Sequence, residues 1–197
     1  INLSSLNGKN GFRLDGEDEF DYAGKPVSDA GDINGDGFDD VIVSAPYAEP
    51  NGATYVVFGK ASGFDATTNL STLDGNNGFR LNPTTSMTNF HTPISSAGDI
   101  NGDGFADLLV GFGFDPYGNY AGSSYVIFGK AGGFSATFDL SNVDGNNGFR
   151  LNGVAENDLS GSSVSNAGDV NGDGLDDVIV SAVFADPNGD NSGSSYV

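Results

Sequence analysis

The 197-residue sequence has no cysteine and no tryptophan, and only one methionine and one histidine. Disulfide staples are therefore excluded, although that alone does not decide the compartment, since many secreted bacterial proteins have none. Lysine and arginine together number seven against 27 aspartates and glutamates, a formal charge of −20. Nucleic acid and anionic membrane surfaces are poor partners for such a surface. No apolar run approaches the roughly 20 residues of a membrane span. The chain opens Ile1-Asn-Leu-Ser without the basic start of a signal peptide, as a mature or excised segment would. No stretch keeps a helical period. Phosphate-loop, zinc-ligand and nucleophile-elbow patterns are missing too. His91 is most simply a turn residue, because a catalytic role would need partners in a geometry that sequence does not show.

What the sequence does have is one nine-residue acidic loop written three times: Asp32-Ile-Asn-Gly-Asp-Gly-Phe-Asp-Asp40, Asp99-Ile-Asn-Gly-Asp-Gly-Phe-Ala-Asp107 and Asp169-Val-Asn-Gly-Asp-Gly-Leu-Asp-Asp177. Oxygen side chains stand at positions 1, 3, 5 and 9. A hard cation such as Ca²⁺ takes 6–8 oxygens, several of them carboxylate, and position 7 can add its backbone carbonyl. The expected ligands are therefore Asp32, Asn34, Asp36, Phe38 and Asp40; Asp99, Asn101, Asp103, Phe105 and Asp107; and Asp169, Asn171, Asp173, Leu175 and Asp177, for three Ca²⁺ sites. Glycine at position 6 allows the positive φ that a tight loop requires. An EF-hand is disfavoured, because Val43, Val110 and Val180 stand where its last glutamate would be and the flanks read as strands. Mg²⁺ fits less well, since it prefers rigid octahedral sites that retain water. Position 8 changes between Asp39, Ala106 and Asp176, so it reads as solvated or outside the ligand set. Three Ca²⁺ would offset six of the twenty charges and leave −14. Simple aspartate loops suit millimolar extracellular calcium better than the cytosol.

The loops sit in a longer repeat of about 67–70 residues. Gly11-Phe-Arg-Leu14 returns as Gly78-Phe-Arg-Leu81 and Gly148-Phe-Arg-Leu151, each 21 residues before the first aspartate of a loop. Tyr55-Val-Val-Phe-Gly-Lys60 returns as Tyr125-Val-Ile-Phe-Gly-Lys130, and Tyr196-Val197 starts a further copy. Each unit reads as four short strands: Val27–Ala30, Val41–Ala45, Ala53–Phe58 and the Gly-Phe-Arg-Leu segment, with their copies. Val/Ile/Leu runs bounded by Gly, Asn, Asp and Pro are the signal. An all-β chain with four strands per unit points to β-propeller blades of antiparallel strands. The repeats are expected over 15–81, 82–151 and 152–197, with 1–14 an out-of-phase outer strand. Such phasing belongs either to part of a larger propeller or to one completed by a homo-oligomer through strand addition. Arg13, Arg80 and Arg150 read as the polar side of half-buried strands, and Lys60 and Lys130 as edge charges.

These residues resemble the FG-GAP repeat family, the β-propeller of integrin α chains and of bacterial surface proteins. Tyr22-Ala-Gly-Lys-Pro-Val27 and Leu159-Ser-Gly-Ser-Ser-Val164 fit its first strand, and Ser44-Ala-Pro46 its second; in the middle repeat Asn89 and His91 depart from it. The resemblance implies an extracellular or cell-surface, non-enzymatic, calcium-binding module for adhesion or protein–protein interaction. It also implies recognition, of another protein or a glycan, on the face opposite the calcium loops. The connections there, Tyr47–Asn51, Phe114–Tyr120 and Phe184–Asn191, vary in length and carry aromatics; Tyr117 and Tyr120 are the preferred contacts. Two other readings remain open at this stage: an accessory domain of a secreted hydrolase, and a self-assembling structural unit.

Overall fold

The computed structural model describes residues 2–84, 92–114 and 119–197. Among them the chain forms fourteen strands and three single-turn 3₁₀ segments, without an α-helix. The first blade is an antiparallel meander of β2 (Val27–Gly31), β3 (Asp40–Ala45), β4 (Ala53–Val57) and β6 (Gly78–Asn82). The second joins β7 (Ile94–Gly98), β8 (Asp107–Phe112), β9 (Ser123–Ile127) and β11 (Gly148–Asn152). The third has β12 (Ser160–Gly168), β13 (Asp177–Ala182) and β14 (Ser194–Tyr196). These are the all-β, propeller-type blades that the repeats predict. His91 and Asn89 lie outside the described residues.

Short parallel strands were not foreseen. β5 (Thr67–Asn69) pairs with β1 (Arg13–Asp15), and β10 (Thr137–Asp139) pairs with β6. Their Thr-rich segments have no apolar period, so only backbone hydrogen bonding betrays them. Each runs into a 3₁₀ turn, at Leu70–Thr72 and Leu140–Asn142. The Asn69 side chain accepts from Ser71 N at 2.8 Å, and Asn2 caps Leu3–Ser5 in the same way. The two Asn-Leu-Ser sequences, which also match a glycosylation acceptor pattern, therefore serve as turn caps.

The meanders stack face to face, and consecutive inner strands β2, β7 and β12 touch one another. Continuous Val/Ile/Leu runs are what this packing demands, because a middle blade is covered on both sides. Every residue of β4, β8 and β9 is buried. Between the first two blades Ile42, Val56, Phe58 and Phe79 meet Leu108, Val110, Tyr125 and Ile127. Between the second and third, Leu109 and Val126 meet Val164 and Val180.

The outer rim is tied by a repeated aromatic and cationic contact. Phe79 stacks on Phe134 with centroids 4.3 Å apart, and Lys130 Nζ lies 4.9 Å over that ring. Phe12, Phe64 and Lys60 repeat it at 3.9 and 4.8 Å. The lysines that read as edge charges are thus held on aromatic faces. Arg80 lies 5.7 Å over Tyr55 and pairs with Glu17 at 2.9 Å, and Arg150 lies 5.6 Å over Tyr125. Phe79 is fully buried whereas Phe12 is half-buried. Phe79→Ala is expected to cost about 3–5 kcal/mol and Phe12→Ala distinctly less, read as shifts of the denaturant midpoint.

Candidate metal centre

Each acidic loop joins the first strand of a blade to the second, so all three lie at the same end of the stacked sheets. The first aspartate organises the turn. Asp32 accepts from Gly35 and Asp36 N–H at 2.8 and 3.0 Å on Oδ1, and from Gly37 N–H at 2.8 Å on Oδ2. Asp99 and Asp169 do the same in their loops. Asn34 Oδ1 accepts from Asp36 N–H, and Asp36 Oδ1 from Phe38 N–H. Gly37, Gly104 and Gly174 adopt φ of 89–91°, where a Cβ would be strained. Asn34 and Asn101 donate from Nδ2 to Asp36 and Asp103; in the third loop Asn171 donates to Asp177 instead.

The aspartate at position 9 behaves differently. Asp40 and Asp107 are 1 % and 0 % exposed. Asp40 accepts from Ile33 N–H at 3.0 Å and from Gly59 N–H at 2.7 Å, tying the loop to the end of β4. Asp107 ties Ile100 to Gly129 at 3.0 and 2.8 Å. Burial pushes the Asp40 carboxyl up to about 7, against these hydrogen bonds and aided by the like charges of Asp36 and Asp32. Burial likewise raises Asp107 to about 6. Asp177 is less enclosed; it accepts from Val170 N–H at 2.9 Å. This linking role was not legible beforehand, because position 9 read only as a ligand.

Among the described residues no group of three acidic or histidine side chains is gathered as if around an ion. The donor set nevertheless suits a hard cation. Each loop carries three carboxylates, at positions 1, 5 and 9, and an amide oxygen at position 3, and in the first two loops a buried carboxylate faces charge of its own sign. A divalent ion would relieve that repulsion.

The loops also touch one another. Ala106 N–H donates to Asp32 O at 3.1 Å, and Asp176 N–H to Asp99 O at 3.2 Å. Asp176 Oδ2 accepts in return from Asp99 N–H at 2.9 Å. Position 8, expected to be solvated or outside the ligand set, is a joint between blades. Position 7 is another. A Cβ at Gly35 would run into the Phe105 ring, and one at Gly102 would come within 2.9 Å of Leu175. The glycine at position 4 thus leaves room for the next blade.

At the other end of the sheets, Phe20, Tyr22, Phe114, Tyr120 and Phe184 are all exposed. A cleft of about 450 Å³ there is lined by Phe114, Tyr120, Asn157, Leu159 and Phe184. Asn119 Nδ2 donates to Glu156 Oε1 at 2.7 Å beside it. Tyr117 lies outside the described residues.

Comparison with known proteins follows the same three units. The family model described as FG-GAP repeat matches residues 27–57, 93–127 and 160–197. Integrin alpha-4 of Xenopus laevis is 28 % identical over 178 residues, 89 % of this chain. Integrin alpha-PS5 of Drosophila melanogaster is 31 % identical over 180 residues, 87 % of this chain. Integrin alpha-V of Gallus gallus is 33 % identical over 106 residues, 52 % of this chain. The chain spans only 16 %, 16 % and 10 % of those relatives' own lengths.

Asp40 is raised above its unfolded value of 3.8, so in calcium-free buffer it favours the folded state below that pH. That contribution is lost as pH rises through about 7. The melting temperature of the native chain is expected to fall relative to that of Asp40→Asn over this window, as thermal unfolding at several pH values will show.

Proposed function

The chain belongs to the FG-GAP repeat family, and we propose that it is a calcium-stabilised, extracellular or cell-surface β-propeller segment for adhesion or protein–protein recognition. The ions are structural and the segment carries no reaction of its own. Asp32, Asn34, Asp36 and Asp40 with the Phe38 carbonyl would hold one Ca²⁺. Asp99, Asn101, Asp103 and Asp107 with the Phe105 carbonyl would hold a second. Asp169, Asn171, Asp173 and Asp177 with the Leu175 carbonyl would hold a third. Each ion would lock the hairpin between the first two strands of its blade.

Recognition belongs to the opposite end of the sheets, and one observation carries that reading: five exposed aromatics share this end, three of them in a cleft with Leu159. Exposed aromatic surface on a rigid scaffold is characteristic of protein interfaces. An occupant of this end could be a protein or a glycan. The separation of the two ends makes the metal sites and the recognition surface independently removable.

Three outcomes are expected. Calorimetric titration should find three Ca²⁺ per chain, falling to two in Asp36→Ala. Chelation should lower the melting temperature, since each site held at a hundred times its Kd adds about 2.7 kcal/mol. An unchanged melting temperature in EDTA would contradict the structural role. Tyr120→Ser with Phe184→Ser should reduce binding to matrix proteins or glycans in a surface assay by about tenfold or more, with calcium stoichiometry unchanged. Equal binding by the double variant would remove the aromatic cleft from the proposed surface.

A further inference from the structure

The first aspartate of an acidic loop is held by the loop of the next blade. Asp99 is gripped on both sides by one residue: its C=O accepts from Asp176 N–H at 3.2 Å, and its N–H donates to Asp176 Oδ2 at 2.9 Å. At the other joint Ala106 supplies half of this grip, its N–H donating to Asp32 O at 3.1 Å. Glycine makes room at both joints. A Cβ at Gly98 would strike the Asp176 carboxylate, and one at Gly31 would strike the Ala106 side chain. Gly31 and Gly98 have φ of 64° and 72°, so another residue there would also be strained.

These grips sit between candidate ligands. Asp176 stands between Leu175, with its carbonyl, and Asp177 of the third loop; Ala106 stands between Phe105 and Asp107 of the second. Asp99, in turn, is the residue whose carboxylate gathers the N–H groups of Gly102, Asp103 and Gly104. Ordering the end of the third loop therefore orders the start of the second, and with it the turn that carries Asn101 and Asp103. Side-chain packing acts in the same direction, with Leu175 against Gly102 and Phe105 against Gly35.

On the calcium reading proposed for these loops, we infer that adjacent loops take up Ca²⁺ cooperatively, with Asp176 a positioning residue for the second site although it is not one of that site's ligands. An ion in the third loop fixes the Leu175 carbonyl and Asp177, and so holds Asp176 where it grips Asp99. The second loop then loses less conformational freedom when its own ion binds, which is positive cooperativity. The coupling is reciprocal, so an ion in the second loop favours one in the third. It is stronger between the second and third loops than between the first and second, because Ala106 has no carboxylate to offer the Asp32 N–H. Charge acts the other way, since a filled loop attracts a further cation less. At about 0.15 M salt that opposing effect is screened over roughly 8 Å, whereas hydrogen bonds between touching loops are not.

The amide NMR signals of Gly37, Gly104 and Gly174, one in each loop, followed through a Ca²⁺ titration of the 197-residue chain, test the coupling. Asp173→Ala, which removes a ligand of the third site, should raise the Ca²⁺ midpoint read at Gly104 about fivefold or more, and that at Gly37 less. Asp176→Ala should raise the Gly104 midpoint by a similar factor while three Ca²⁺ still bind. Asp176→Asn, whose carboxamide oxygen can still accept from Asp99 N–H, should restore it. Ala106→Asn, which offers Asp32 N–H an acceptor without adding charge, should lower the Gly37 midpoint. A merely structural role for Asp176 would lower the melting temperature and leave the Gly104 midpoint in place. Three Ca²⁺ bound, with that midpoint unmoved by Asp173→Ala and by Asp176→Ala, would overturn the coupling and leave the calcium reading standing. Failure of Asp176→Asn to restore the midpoint would assign the effect to charge and overturn the positioning role. A chain that takes up no Ca²⁺ would overturn both the coupling and the calcium reading.

Discussion

A sheet that is apolar on both faces is stable only between two others, and this constraint governs the molecule. There is no cysteine to staple the blades and, among the described residues, no α-helix to cover them. Burial of Val, Ile, Leu and Phe between neighbouring sheets supplies the cohesion, at roughly 25 cal/mol per Å² of apolar surface removed from water. The middle blade shows the satisfied state, with all of β8 and β9 buried. Its flanking blades show the state with one neighbour present.

The acidic loops solve a different problem at one end of the stack. They have to turn the chain from one strand to the next, meet the loop of the adjacent blade, and do so with three or four carboxylates each. Backbone N–H groups converge on the first aspartate, which sets the turn. The last aspartate is drawn inward to reach the end of the third strand, and there it is desolvated. A buried carboxylate beside two others raises the cost of the metal-free fold, so the feature that orders the loop also makes a cation favourable there. In the proposed calcium reading, the turn and the metal site would meet in one side chain.

Much of the fold was legible because repetition multiplies a weak signal. A single Val-Ile-Val run is ambiguous, but its recurrence at fixed distances from Asp-x-Asn-Gly-Asp-Gly and Gly-Phe-Arg-Leu sets blade, strand and loop together. The parallel strands β5 and β10 escaped because three residues are too few to show a period, and Thr-Thr-Asn and Thr-Phe-Asp hold at most one apolar side chain. Their partners are distant in sequence. The roles of positions 4, 7 and 8 escaped for a related reason. They are contacts between loops some seventy residues apart, and within one loop Gly35, Phe38 and Asp39 look like turn, carbonyl donor and solvent. The lysines at the ends of β4 and β9 read as edge charges until the rings beneath them came into view.

The hexapeptide Asp-Val-Ile-Val-Ser-Ala marks the boundary between what each level decides. It occurs unchanged as β3 and as β13. By itself it determined a strand in both places, paired to the same neighbours in the meander, because β-branched residues after an acidic turn favour extended backbone. Its environment was decided elsewhere: nearly all of β3 is buried, while only two residues of β13 are. Local sequence carries the conformation of a strand and the oxygen donors of a loop. Whether a neighbouring sheet covers that strand, or a neighbouring loop completes that turn, depends on residues a full repeat away, and so only the tertiary structure could decide it.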